Sequence, residues 1–164
     1  MNPTILLEFA AVAVLATTLF GCGNNKPPSD VGDRLWVAKM PEGPRDRVDA
    51  FVLTEVGKRS VGSYYHGSVY RGAHDTFTWT NKGKDRGVIR LLQEERDYEV
   101  RIESCKPDKE FDQCILVQGD PKKVVRYQSR KRWAIPRRGK GLDVPALMVE
   151  LAEEDDELEA LLTE

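Results

Sequence analysis

Two histidines, three cysteines and almost no net charge are all that this chain of 164 residues offers to several kinds of chemistry, and each shortage removes a class of function. A formal net charge of -2 gives no electrostatic bias toward nucleic acid. The apolar run from Phe9 to Phe20 stops at twelve residues, short of the roughly 18 to 20 that a helix needs to cross hydrocarbon. Ser63 and Ser68 lack the Gly-x-Ser-x-Gly elbow of a nucleophilic serine, and neither a phosphate loop nor a dinucleotide fingerprint occurs. Nothing here implies a cofactor, a metal or nucleic acid, and the expected mode of action is binding rather than catalysis.

What is present starts with Leu19-Phe20-Gly21-Cys22, a cysteine placed directly after a small residue at the end of the apolar run. The stretch resembles a bacterial lipobox. That resemblance implies that residues 1–21 are a lipoprotein signal peptide, that Cys22 becomes the first residue and carries a diacylglycerol, and that the chain meets the membrane through this anchor. The n-region departs from the usual pattern, with Glu8 where Lys or Arg is expected. By the enterobacterial sorting rule, Gly23 in place of Asp implies the periplasmic face of the outer membrane. Residues 22–33, with Asn24-Asn25-Lys26-Pro27-Pro28 at their centre, are polar and rich in Pro and Gly, and they read as a flexible tether.

Residues 34–140 carry short β-rich runs separated by turn residues. Strands are expected at Leu35 to Lys39, Phe51 to Val56, Val61 to Tyr70, Thr76 to Thr80, Val88 to Leu92, Tyr98 to Ser104, Cys114 to Gln118, Lys123 to Gln128 and Arg132 to Ile135. In Tyr98-Glu99-Val100-Arg101-Ile102-Glu103 apolar and charged residues alternate at period two, so one strand face is dry and the other wet. Phe77 and Trp79 alternate with Thr76, Thr78 and Thr80, and Asn81 to Gly87 supplies the Asn and Gly of a hairpin turn. The fold class is therefore mainly β, an antiparallel meander. Closure into a small barrel removes the two exposed edges that so many strands would otherwise leave, and an open sheet packed on a C-terminal helix is the alternative.

Cys105 and Cys114 fall at the end of one expected strand and the start of the next, where they can face each other across a hairpin. In an oxidising compartment a bridge over this short loop contributes roughly 2 to 3 kcal/mol. A redox pair or metal ligands are the other readings, although the spacing is not Cys-x-x-Cys and no His accompanies it. His66 and His74, with Asp75 beside the second, form an acid/base site only if the chain turns at Gly67 or Gly72. Along a straight strand their imidazoles would stand roughly 26 Å apart, and surface or rim positions are expected.

Three segments in order, Gly57-Lys58-Arg59-Ser60-Val61-Gly62-Ser63-Tyr64-Tyr65, Phe77-Thr78-Trp79-Thr80-Asn81-Lys82-Gly83 and Ile102-Glu103-Ser104-Cys105, resemble the elements of the periplasmic and membrane-bound inhibitors of c-type lysozyme. The resemblance implies a small β-barrel, often a lipoprotein. It also implies a partner-binding surface of Ser60, Gly62, Tyr65, Lys82 and Gly83, which offers a serine and a lysine to a lysozyme-like glycosidase. A cation delivered between two catalytic carboxylates blocks substrate and pairs with the acids.

The C-terminal part is segregated by charge. Residues 120–140 hold nine Lys/Arg against Asp120 alone, and residues 141–164 hold nine Asp/Glu and no base. From Asp143 as N-cap, with Pro145 in the first turn, Leu147, Leu151, Leu158 and Leu162 predict an acidic amphipathic helix over residues 141–164. Its run Glu153 to Glu157 places like charges at i,i+3 and i,i+4, so the helix needs a partner. Docking of residues 144–163 on the basic face around residues 126–140 is one reading, and a free tail that recruits an external basic partner is the other. Three functions stay open on sequence alone: an envelope binding module, a calyx for an apolar ligand, and an enzyme built on His66, His74 and Asp75.

Overall fold

The alternation from Tyr98 to Glu103 is kept in three dimensions, with Val100 and Ile102 buried and Glu99 and Arg101 exposed. In the computed structural model, which describes residues 31–43, 45–56, 58–68, 70–135, 149–153 and 155–156, eight strands follow one another around a closed barrel. They are β1 (Arg34–Val37), β2 (Val48–Val56), β3 (Arg59–Gly67), β4 (Gly72–Asn81), β5 (Arg86–Leu91), β6 (Arg96–Ser104), β7 (Gln113–Gln118) and β8 (Arg126–Ser129). Each pairs antiparallel with the next, and β1 closes on β8 through Val37↔Gln128. The open-sheet alternative is thereby set aside.

Inward positions of every strand build one core: Trp36, Phe51, Leu53, Tyr64, Phe77, Trp79, Ile89, Leu91, Val100, Ile102, Ile115, Val117 and Tyr127, with Val31. Six of these are aromatic, and their rings contact one another: Phe51 meets Tyr127 edge-on at 4.8 Å and Tyr64 meets Phe77 at 4.7 Å. Two glycines make room for them. A Cβ on Gly62 would lie 2.0 Å from the Phe77 ring, and one on Gly87 would lie 2.2 Å from Trp79. Full burial of side chains of this size stabilises by roughly 1.5 to 3 kcal/mol each.

A second core lies outside the barrel. Leu35, Val37, Val48, Ala50, Val52 and Tyr65 form an apolar outer face on β1, β2 and β3, and Phe111, Trp133, Leu151 and Ala152 cover it. These strands are thus dry on both sides, which explains why their sequences read as nearly continuous apolar runs.

Several expected boundaries move. Arg132 to Ile135 is not a strand: Lys131–Trp133 forms a 3-10 turn that drops Trp133 onto the outer core, and Ala134 makes a single bridge to Arg34. The strand expected over Val61 to Tyr70 ends at Gly67, because β4 begins at Gly72 and the chain must turn between them. The last residues of the expected tether, from Val31 to Asp33, belong to the fold instead. Val31 is buried and its carbonyl accepts from Trp36 Nε1 at 2.9 Å, while Asp33 N donates to Leu53 O at 2.7 Å. Of the expected C-terminal helix, the described residues include one helical turn at 149–152, and Leu147, Leu158 and Leu162 lie outside them. The leader, Cys22 and residues 23–30 also lie outside the described residues.

Candidate functional site: two rims of one barrel

The strands place their connections alternately at two rims. The lower rim, where β1 begins, carries the β2–β3 turn, the β4–β5 turn and the β6–β7 hairpin; the upper rim carries the β3–β4, β5–β6 and β7–β8 loops.

At the lower rim the β4–β5 turn presents Lys82. Lys82 N donates to Arg86 O at 2.9 Å, and Gly83 N donates to Asn81 Oδ1 at 2.9 Å, which fixes the turn while its side chains project outward. Lys82, Gly83 and Lys84 are exposed. Because β3 lies beside β4 with Ser60 opposite Trp79, the exposed Lys58 and Arg59 of the β2–β3 turn stand next to them. Lys58, Arg59, Lys82 and Lys84 make no ion pair among the described residues. The acid nearest in sequence is already engaged, since Asp85 Oδ2 accepts from Arg101 Nε at 2.8 Å. That hydrogen bond is the main reason the Asp85 carboxyl sits below its ordinary range. The result is a cluster of cations that finds no carboxylate among the described residues.

The other residues assigned to this surface by resemblance are elsewhere. Ser60 is 3% exposed and Gly62 lies beneath the Phe77 ring inside the barrel. Tyr65 packs in the outer core, with its hydroxyl donating to the Ser68 carbonyl and its ring 5.0 Å from His74. Lys82 and Gly83 are therefore brought together with Lys58 and Arg59, not with Ser60, Gly62 or Tyr65. Cys105 and Cys114 are joined in a disulfide at the base of the β6–β7 hairpin, where Cys105 N also donates to Cys114 O at 3.0 Å.

The upper rim holds a network that the sequence reading did not foresee. Asp49, His66 and Asp75 occupy inward positions on β2, β3 and β4, side by side. His66 Nδ1 lies 3.1 Å from Asp49 Oδ1, its Nε2 lies 3.5 Å from Asp75 Oδ2, and Lys122 Nζ reaches the same Asp75 oxygen at 2.6 Å. Arg47 grips Asp49 with two hydrogen bonds of 2.8 and 2.9 Å. Burial alone raises the Asp49 carboxyl, but the hydrogen bonds from Arg47 and His66 outweigh it and leave the group below its ordinary value. Deeper in, Asp120 Oδ2 accepts from Tyr127 at 3.0 Å and Tyr64 at 3.4 Å, and Asp120 Oδ1 accepts from Lys122 N at 2.6 Å. Burial pushes Asp120 up, and it raises both phenols further still with help from the Asp120 charge.

His66 and Asp75 do converge, as an enzyme reading required, but His74 does not: it faces outward against Tyr65. The converged groups pair with one another and are largely buried, with side-chain exposures of 15% to 21% for Asp49, His66, Asp75 and Lys122. Among the described residues no group of three His, Cys, Asp or Glu has metal-holding geometry. The signal for this network was parity: Asp49 shares its strand face with Phe51 and Leu53, and His66 with Tyr64.

Compared with protein families, curated proteins and solved structures, the chain finds no match. Among the described residues no helix is long and apolar enough to cross a membrane.

Proposed function

We propose that this chain is an envelope module, held by a lipid on Cys22, that acts without catalysis by presenting the unpaired cations of its lower rim to an acidic partner. The observation that carries the reading is the β4–β5 turn: its backbone is fixed by two hydrogen bonds while Lys82 and Lys84 stand exposed beside Lys58 and Arg59. A rigid turn that carries hydrated, unpaired lysines loses little conformational freedom on meeting a cleft of carboxylates, and its charge steers the encounter. A lysozyme-like muramidase, whose cleft holds two catalytic carboxylates, is the partner to which the family resemblance points. The six aromatic rings inside the barrel favour this reading over a calyx, because they occupy the space a ligand would need.

Two measurements test it. Protein lacking residues 1–21 is expected to slow c-type lysozyme on cell walls at micromolar concentration, and Lys82→Ala to abolish that effect; no inhibition by the unchanged protein removes the muramidase as partner. Fatty-acid labelling is expected for the full chain and not for Cys22→Ala. Equal labelling, with both forms in the membrane fraction, removes the anchor.

A further inference from the structure

Arg130, at the end of β8, is held as a binding group before anything binds to it. Its guanidinium lies against two aromatic rings, 5.7 Å from the centre of Phe111 and 5.3 Å from that of Trp133, and those rings meet edge-on at 6.0 Å. Its Nε donates to the Glu110 carbonyl at 2.9 Å. These contacts come from the β6–β7 hairpin and the Lys131–Trp133 turn, so they fix the side chain without help from the C-terminal segment.

That segment supplies the anion. Both oxygens of Asp155 lie 2.9 Å from one nitrogen of Arg130, Oδ2 accepts from Trp133 Nε1 at 2.9 Å, and Oδ1 lies 2.8 Å from Arg132. Asp155 is completely buried. Leu151 and Ala152, which precede it, sink into the outer core. An open groove of about 590 Å³ shares Arg130 and Arg132 with this site and is lined also by Lys109, Glu110, Asp112 and Lys131.

We propose that Arg130, Arg132 and Trp133 form a receptor for a carboxylate on an acidic protein segment, and that Asp155 is its resident ligand, competing with the partner. Arg130 keeps its contacts with both rings and with the Glu110 carbonyl when the tail leaves, so its guanidinium stays aimed at an incoming carboxylate. Three N–H donor groups, from Arg130, Arg132 and Trp133, on one oxygen pair give the site geometry as well as charge. The tail holds the site because it is tethered nearby, at an effective concentration of the order of millimolar, and free segments of weaker affinity are thereby kept out. Since Leu151 and Ala152 are read by the outer core three to four residues before Asp155, the preferred segment carries an apolar pair followed at that spacing by an aspartate. This site is distinct from the Lys82 turn, and either stands if the other fails.

The test uses the full-length chain and a fluorescent peptide with the sequence of residues 149–157. Asp155→Asn removes the resident charge at nearly constant shape and is expected to bind the peptide at least tenfold more tightly than the unchanged chain. Adding Arg132→Ala is expected to reverse that gain, and a peptide with Asn at the position of Asp155 is expected not to bind. Should Asp155→Asn fail to fold, Leu151→Ala serves instead, since it loosens the tail while leaving the receptor untouched, and a rise of at least threefold is expected. A folded variant that binds no better than the unchanged chain, or whose binding is indifferent to Arg132, overturns the proposal and leaves Asp155 as a structural latch.

Discussion

At the upper rim Asp49, His66, Asp75 and Lys122 point inward and pair with one another, whereas at the lower rim Lys58, Arg59, Lys82 and Lys84 point outward and meet no carboxylate among the described residues. Both rims carry polar and charged side chains, and position in the barrel separates their roles. A charge on the inward face of a strand end is partly desolvated, and the chain must supply its partner. A lysine on a turn tip keeps its water, so its charge remains available to another molecule. The upper rim thus contributes to the fold, and the lower rim is the surface that we propose meets a partner.

Four variants break or sharpen this contrast. The largest effect is expected at the upper rim: Asp120→Ala leaves the hydroxyls of Tyr64 and Tyr127 without their buried acceptor and is expected to cost roughly 2 to 4 kcal/mol in urea unfolding. A loss below about 0.5 kcal/mol would mean that this network does not support the barrel.

Next comes the one covalent device of the lower rim. Replacing Cys105 and Cys114 by Ser is expected to cost about 2 to 3 kcal/mol, measured against the reduced and oxidised parent.

Asp49→Asn ranks third, at about 1 kcal/mol at neutral pH. The sign follows from the lowered carboxyl. Asp49 titrates below its ordinary 3.8 in the folded chain, so its ionised form stabilises the fold above that value and the contribution is lost as pH falls through the folded pKa. Parent and variant stabilities measured from pH 7 down to pH 2 are therefore expected to converge; a gap that persists unchanged assigns the effect to shape rather than charge.

The smallest stability effect belongs to Lys82→Ala combined with Lys84→Ala, within about 0.5 kcal/mol. The same pair is expected to abolish partner binding, and binding by the unchanged protein is expected to weaken steeply with salt. A double variant that unfolds early would contradict the division of labour between the rims.

The strands that were legible in the sequence are those with one wet face. Glu99, Arg101 and Glu103 announce β6, and Thr76, Thr78 and Thr80 announce β4, because polar residues fall where water is. Where the rule inverts, so does the reading. Asp49 interrupts the apolar start of β2 from the inside, so the expected strand began at Phe51 rather than Val48. His66, read as a rim or surface residue, is at the rim, but on the inward face that it shares with Tyr64. The outer core was illegible for another reason: Phe111 and Trp133 reach it from a loop and a 3-10 turn, where no periodicity marks which side is buried. The disulfide followed from hairpin spacing, which is local. The pairing of Asp155 with Arg130 and Arg132 matches the segregated charge between residues 120–140 and 141–164, but which acid and which base would meet depends on contacts 23 and 25 residues apart that no local pattern encodes.

The closure of the barrel has a kinetic meaning. Seven of the eight strand pairings join neighbours in sequence, and such hairpins form quickly because little chain must be ordered before contact rewards it. The eighth, between β1 and β8, rests on the register pair Val37↔Gln128, on Ser129 Oγ donating to Leu35 O at 2.7 Å and on the Arg34 bridge to Ala134. It brings together residues about ninety positions apart, so it is expected to form last in folding, after the meander has curled. The same seam is then expected to part first in unfolding, and interactions that bridge it to lengthen the native lifetime while leaving the folding rate nearly unchanged. Trp133, packed with Leu35 and Val37 of the seam strand in the outer core, is expected to act on that clock as much as on equilibrium stability.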